Sequence, residues 1–334
     1  MPRRLLVLAL AVAVATGVAV DRSGGGASET VASAAGGLAR SPARQLPDVP
    51  PDLSIGGQGD GAATQPAPQP GPAPPRAVDV TVTPVAAGDP AGLAGQIVTA
   101  EQAIRAPATA AELAYFGHLQ QVAYRALALR PEWDAEVAAA LPDDLRPVMA
   151  ANVAAGRELR RPHRTPQTKL PAWRIVEPPP ASELRAYYEE GEATFGVPWE
   201  YLAAVNLTET RMGRIRGLSS AGAQGPMQFI PGTWEAYGEG DINDPRDAIL
   251  SAARYLAANG GGSGNLPNAL FRYNPVSWYV DAVTAYAEQI VADERAYLGY
   301  YNWQVYYTTS LGDVLLPVGY EATERRPVTP ADLG

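Results

Sequence analysis

Glycine and proline are concentrated in the first hundred residues of this chain and in the loops between its later apolar segments. The 334 residues include 33 glycines and 32 prolines. Both residue types disfavour the interior of helices and strands. The part of the chain that can fold is therefore smaller than its length, which by itself would allow two domains.

Residues 21–92 are predicted to be a disordered tether. This segment contains glycine and proline runs, notably at 65–70 and 72–75, and almost no aromatic side chains. It cannot bury enough apolar surface to offset the entropy lost on ordering. We expect a partly extended linker here.

The first twenty residues have the pattern of a secretory signal, since Arg3 and Arg4 precede an apolar run over residues 5–20. The chain is therefore predicted to be exported. Small residues at 17–19 resemble a cleavage site, yet the run is only slightly short of the roughly 17 residues that can span a bilayer. A cleaved signal peptide and a retained signal anchor both stay open.

Composition excludes several kinds of chemistry. Cysteine is absent, and the two histidines, His118 and His163, both precede residues 182–300. That segment can therefore hold neither a Ser/His/Asp triad nor a histidine-ligated metal, and carboxylate, amide and hydroxyl chemistry remains. The net charge of −9 argues against nucleic acid as a partner.

Two regions show helical patterns, separated by a connector at 162–181. Apolar residues recur at helical spacing within residues 93–161, for which we predict three or four helices with a packing or positioning role. In the second region, 182–300, Ser182 is predicted to cap a helix that ends at Gly196. Pro198 is predicted to lie in the first turn of the next helix, which reaches about Glu209.

Asp244 and Pro245 form a strong start for a further helix, with Asp247 reaching back as in a capping box. No strand pattern appears inside residues 182–299, so this domain is predicted to be all-α. The tail, 301–334, is richer in β-formers and is predicted to form a short hairpin.

Glu209 is predicted to share a helix face with Leu202 and Val205. Burial and the helix C-terminus both disfavour its charged form, so its pKa should be raised, as a general acid requires. The alternatives are a structural ion pair with Arg211 or Arg214, or an early helix end that leaves Glu209 in solvent.

A motif follows Glu209 in the order of a known family. Gly222, Gly225, Met227, Gln228, Pro231 and Thr233 resemble the Gly-x-x-Gly-x-Met-Gln and Pro-x-Thr elements of the lytic transglycosylases of the lysozyme-like superfamily, of the soluble and membrane-bound murein type with an SLT-like domain. Thr210 stands where the family usually has serine. Tyr273-Asn274 resembles the family's Tyr-Asn element, and the likeness covers about residues 182–296.

The resemblance implies an all-α, lysozyme-like enzyme that cleaves peptidoglycan glycan strands outside the cytoplasm, in the cell wall or at the membrane. Glu209 would protonate the bond between N-acetylmuramic acid and N-acetylglucosamine and then help to close a 1,6-anhydro ring, with no cofactor or metal. The substrate-binding residues it implies are Ser220, Met227, Gln228, Phe229, Tyr273 and Asn274.

Two other functions stay open. A hydrolytic muramidase would use the same acid together with an activated water, and Asp241 and Asp244 are the nearest candidates for a second carboxylate. A glycan-binding scaffold on a degenerate lysozyme-like fold would need no acid at all. The sequence identifies no protein partner.

Overall fold

The computed structural model describes residues 79–161 and 166–333, which belong to one compact unit. The predicted signal segment and nearly all of the predicted tether lie outside the described residues. So does His163. The last part of the tether is described, and the first helix begins within it at Pro90, next to a capping Asp89.

Four helices precede the connector, as the periodicity predicts. They are α1 (Pro90–Arg105), α2 (Ala110–Ala128), α3 (Asp134–Ala140) and α4 (Leu145–Arg160), with a 3-10 turn at Pro131–Trp133. Their starts follow from local chemistry, since Asp89 accepts a hydrogen bond from the backbone of Gly92 and Thr109 forms a reciprocal capping box with Glu112.

Seven helices follow the connector. They are α5 (Ala181–Phe195), α6 (Trp199–Thr210), α7 (Pro231–Tyr237), α8 (Pro245–Ala258), α9 (Leu266–Tyr273), α10 (Ser277–Ala292) and α11 (Arg295–Tyr301), with 3-10 turns at Gly261–Ser263 and Pro330–Leu333. The described residues are thus mostly helical, which confirms the predicted fold class.

The predicted helix ends are mostly correct, with two exceptions. Gly196 ends α5 in the left-handed conformation, with φ of 73°, and the Asp244 side chain caps α8. Ser182 does not cap α5, because Pro180 occupies that position and Ser182 lies one residue inside the helix. Asp247 does not close a capping box, since its carboxylate accepts from the backbone of Asp241 instead.

Six short strands form three antiparallel pairs among the described residues. They are β1 (Lys169–Leu170) with β6 (Arg326–Pro327), β2 (Arg174–Ile175) with β3 (Ile215–Arg216), and β4 (Val305–Thr309) with β5 (Gly312–Leu316). The last pair is the predicted hairpin. Strand β3 lies inside the segment predicted to be strand-free, because two residues are too few to show an alternating pattern.

Helix α10 connects the two helical regions, since it packs on α4 from the first and on α6 from the second. One hydrophobic cluster extends through both, with Leu127 and Val153 at one side and Leu202 and Val283 at the other. The N-terminal helices therefore support the helix that carries Glu209. Within the described part of the chain, no helix has the length and apolar character needed to cross a membrane.

Candidate active site

Helix α6 carries Glu209 and lies in the centre of the fold. Every residue from Leu202 to Thr210 is buried, so the helix has no polar face beyond its first turn. A helix that is enclosed on all sides is a core helix. The prediction that Glu209 is buried with Leu202 and Val205 is confirmed, but position on one apolar face is not the cause, because every face of this helix is covered.

The Glu209 side chain has one hydrogen-bond partner among the described residues. It is 4% exposed, and the Tyr279 hydroxyl, on the first turn of α10, donates to its Oε1 at 2.7 Å. Neither ion pair considered from the sequence forms. Arg211 donates to the carbonyl of Leu207, and Arg214 pairs with Glu177 at 3.2 Å.

Burial therefore dominates the protonation of Glu209. It raises the pKa of this carboxyl from 4.5 to about 8, and the Tyr279 hydrogen bond opposes the rise only in part. Burial and the nearby Glu209 also hold the pKa of Tyr279 well above 10, so its hydroxyl stays a donor. A carboxylic acid that keeps its proton near neutral pH can act as a general acid.

The chain turns sharply directly after α6. Arg211, Met212 and Gly213 have φ values of 54°, 60° and 83°, so two non-glycine residues adopt the left-handed conformation in succession. Such a conformation costs free energy for residues with a Cβ and persists only where surrounding contacts fix it. The last turn of α6, with Glu209, is consequently held by tertiary structure.

Thr210 and Asn206 fasten α6 to the motif that follows it. The Thr210 hydroxyl donates to the carbonyl of Pro226 at 2.5 Å, and the Asn206 amide donates to the same oxygen at 2.9 Å. The Thr210 hydroxyl also accepts from the backbone of Gly213. Its described contacts therefore fix the loop and the helix end, and none of them is with Glu209.

The motif forms a tight loop in which Gln224 and Phe229 exchange backbone hydrogen bonds of 2.9 Å. Gly225 has φ of 73°, and a Cβ there would lie 1.9 Å from the carbonyl oxygen of Ile242. Gly225 is therefore required by internal packing, because no side chain fits at this position. Gln228 is also left-handed, with φ of 51°, and its side chain donates to the Gly225 carbonyl.

Aromatic contacts join this loop to α9. The Tyr273 hydroxyl donates to the carbonyl of Met227 at 2.6 Å, and the Phe229 ring packs near the rings of Tyr273 and Trp234. Burial first, and then the neighbouring Glu209, hold the pKa of Tyr273 well above its usual value. Tyr273 is therefore close to the acid, and Met227 and Phe229 contact Tyr273.

Asn274 is 1% exposed, and neither its side-chain oxygen nor its side-chain nitrogen has a hydrogen-bond partner in the described structure. Buried amides usually have partners, so this residue is available to a ligand or a water. Ser220, by contrast, is exposed. A sugar-binding role for either residue stays a prediction.

The two candidate second carboxylates have other roles. Asp241 is exposed and accepts from the backbone of Asn243, while Asp244 is exposed and caps α8. Neither is among the groups that shift the pKa of Glu209. In the described part of the chain, no three His, Asp or Glu side chains gather as a metal site would require.

Two residues of the site were missing from the predicted set. Tyr279 was not predicted, although its spacing from Val283 and Ile290 places its hydroxyl inside the core, where it must find a partner. Asn206 accepts from Tyr188 at 2.7 Å while it donates to Pro226. The sequence signal for Asn206 was a polar residue in a mostly apolar helical stretch, since such a residue needs hydrogen-bond partners when it is buried.

Part of the chain is similar to known proteins. Residues 186–288 match the family described as "Transglycosylase SLT domain". A stretch of 75 residues is 33% identical to membrane-bound lytic murein transglycosylase F of Thiobacillus denitrificans (strain ATCC 25259 / T1), and it covers 22% of this chain and 16% of that protein. No solved structure matches the chain.

Proposed function

We propose that this chain, which carries an SLT transglycosylase domain over residues 186–288, is a lytic transglycosylase of peptidoglycan. It would cleave the β-1,4 bond between N-acetylmuramic acid and N-acetylglucosamine and leave a 1,6-anhydro end on the muramic acid. The observation that carries this proposal is the buried Glu209, whose carboxyl is bound by the Tyr279 hydroxyl and has a pKa raised to about 8.

In the first step, protonated Glu209 would donate its proton to the oxygen of the glycosidic bond as that bond breaks. The substrate's own acetamide would support the positive charge at the anomeric carbon. Burial favours this step, because the carboxyl holds a proton at pH values where an exposed glutamate is charged. The Tyr279 hydroxyl, 2.7 Å from Oε1, would stabilise the carboxylate that forms.

In the second step, ionised Glu209 would accept the proton of the muramyl C6 hydroxyl, whose oxygen attacks the anomeric carbon. The proton balance closes, since Glu209 ends protonated and no water is consumed. Ordinary retaining and inverting glycosidases, which use water, employ a second carboxylate as base or nucleophile. Asp241 and Asp244 are exposed and engaged in a turn and a helix cap, which supports the single-acid reaction.

Substrate contacts are proposed for the residues around Glu209. Gln228 and Asn274 carry amides that match the hydrogen-bonding groups of an acetamido sugar. Tyr273 could place its ring against a pyranose. Met227 and Phe229 would form the apolar wall, and Ser220 would contact the glycan further out. Action outside the cytoplasm follows from the substrate and the predicted signal at residues 1–20.

Mass spectrometry of the products released from purified peptidoglycan tests the proposal. We expect muropeptides that end in 1,6-anhydro-N-acetylmuramic acid, each lighter by one water than the hydrolytic product. Reducing ends alone would show a hydrolytic muramidase. The absence of any soluble product, with retained binding to the sacculus, would show a glycan-binding scaffold.

A further inference from the structure

A small cavity lies where α2, α4 and α10 meet β4. Its volume is about 30 Å³, and three arginines are among the residues that line it: Arg125 from α2, Arg160 from α4, and Arg211. Tyr286 from α10 also contributes to the wall. The proposed reaction uses none of these side chains.

One carboxylate serves two of the three arginines. Asp313, on β5, accepts from Arg125 at 2.6 Å and from Arg160 at 2.5 Å. The Thr308 hydroxyl donates to the same carboxylate at 2.8 Å. The two guanidinium groups hold the pKa of Asp313 well below its usual range despite its burial. Asp313 is therefore ionised and already shared.

Arg211 has no carboxylate partner among the described residues. It is 3% exposed, its Nη1 donates to the Leu207 carbonyl, and its Nε is buried without any hydrogen-bond partner. The ion pairs of the described residues do not include it. Three guanidinium groups and one carboxylate leave two positive charges in excess around one cavity.

Such an excess is unfavourable inside a protein. A guanidinium group stays charged in proteins, and a buried charge without a counter-ion is strongly destabilising. All three arginines also act on the pKa of Tyr286, which places its phenol close to the same charges. Burial outweighs them and keeps that pKa above 10, so the phenol remains a potential donor.

We propose that this cavity binds one small inorganic anion, of the size of chloride, between Arg211 and the pair Arg125 and Arg160. The cavity has room for a small ion, because its volume of about 30 Å³ exceeds the about 10–15 Å³ that one water needs. Guanidinium and phenol groups supply the donors that an anion requires.

The bound anion would fix the end of the catalytic helix. Arg211 is left-handed and lies two residues after Glu209, whereas Arg125, Arg160 and Asp313 belong to α2, α4 and the hairpin. The ion would therefore connect the N-terminal helices and the hairpin to the last turn of α6. Anion binding is measured without the reaction, so this inference can fail while the proposed function holds.

Thermal unfolding in chloride against gluconate, at equal ionic strength, gives the first test. A ligand that binds only the folded protein raises Tm with concentration. We expect chloride to raise the Tm of the wild-type chain more than gluconate does. This difference should vanish in Arg211→Met. Arg146→Gln, which alters an exposed arginine paired with Asp143, should keep it. Equal Tm values of the wild type in both salts would overturn the proposal.

Crystals of the wild-type protein soaked in sodium bromide give a second test, which does not depend on any variant folding. We expect an anomalous peak in the cavity, within hydrogen-bonding distance of Arg211 Nε. A cavity that holds only water, with bromide elsewhere or absent, would overturn the proposal even if chloride raises Tm.

Discussion

The Tyr279 hydroxyl and the Glu209 carboxylate form a 2.7 Å hydrogen bond between the first turn of α10 and the last turn of α6. This bond favours the charged form of an acid that burial otherwise keeps protonated. Tyr279 thereby limits how far the pKa of Glu209 rises. The hydrogen bond thereby balances the two roles of Glu209 in the proposed reaction, in which it first donates a proton and then accepts one.

Glu209→Gln should reduce glycan cleavage by about 100-fold or more, which is the usual contribution of a general acid. The amide keeps the shape and can still accept from Tyr279, so the fold and sacculus binding should be retained. Release of soluble muropeptides measures the loss, and circular dichroism checks the fold. Glu235→Gln, on the exposed side of α7, is the matched control. Wild-type release by Glu209→Gln would refute the catalytic assignment.

Tyr279→Phe should move the alkaline limb of kcat/KM to higher pH. The lost hydrogen bond had lowered the pKa of Glu209, so the acid should stay protonated further into the alkaline range. Peptide-free glycan strands remove the titration of substrate carboxyls from the profile. Tyr187→Phe, which breaks a similar bond to the exposed Glu183, should leave the limb in place. An unchanged limb in Tyr279→Phe would contradict this coupling.

Glu209 should also make the wild-type protein lose stability as pH rises from about 4.5 to about 8. In that range the unfolded chain releases the Glu209 proton while the folded chain keeps it. The free energy of unfolding then falls by about 1.4 kcal/mol per pH unit for one such group. Urea unfolding measures this free energy for both proteins. Glu209→Gln should become increasingly more stable than the wild type as pH rises over this range. A constant difference would argue against the raised pKa.

Thr210→Val should destabilise the protein by about 1–3 kcal/mol, because the backbone amide of Gly213 loses its buried acceptor and the Pro226 carbonyl loses one of its donors. Thr210→Ser keeps the hydroxyl and should stay close to the wild type in both stability and activity. Denaturant unfolding measures the first effect and muropeptide release the second. Equal stability of the Val and Ser variants would show that these hydrogen bonds contribute little.

Removal of residues 1–78 should leave kcat/KM on isolated sacculi within about twofold of the full chain, since the described contacts all remain. Removal of residues 1–90 should cost more. It deletes the Asp89 cap of α1 and the backbone groups of Val85 and Ala87 that bind Gln96, and a cap alone is worth about 1 kcal/mol. A large loss of activity in the shorter deletion would assign a role in the site to residues 1–78.

Local chemistry allowed several parts of the fold to be predicted. Gly196 ends a helix because it can adopt a left-handed conformation without strain, and Asp244 begins one because its carboxylate accepts a backbone amide. These effects act within four residues. The prediction that Ser182 caps α5 was wrong for a similarly local reason. Pro180 lies two residues earlier and already supplies a favourable φ for the start of this helix.

The contacts of the site could be predicted only in part, because they join distant segments. The sequence indicated that Glu209 is buried, yet two arginines nearby made an ion pair equally compatible with the pattern. Arg214 forms an ion pair with Glu177, which lies in the connector, and Arg211 lines a cavity together with residues of α2 and α4. Spacing along one helix contains no information on such pairings. The Tyr279 bond was missed for the same reason.

The packing of α4 on α10 has a consequence for how the protein reaches its native state during synthesis. Residues of α4 leave the ribosome long before those of α10. The apolar side chains of α4 that α10 covers therefore remain exposed to solvent until most of the chain has been made. Contacts between such distant segments form slowly and leave intermediates open to aggregation. A chaperone that holds the N-terminal helices unfolded until α10 emerges would therefore increase the yield of active protein.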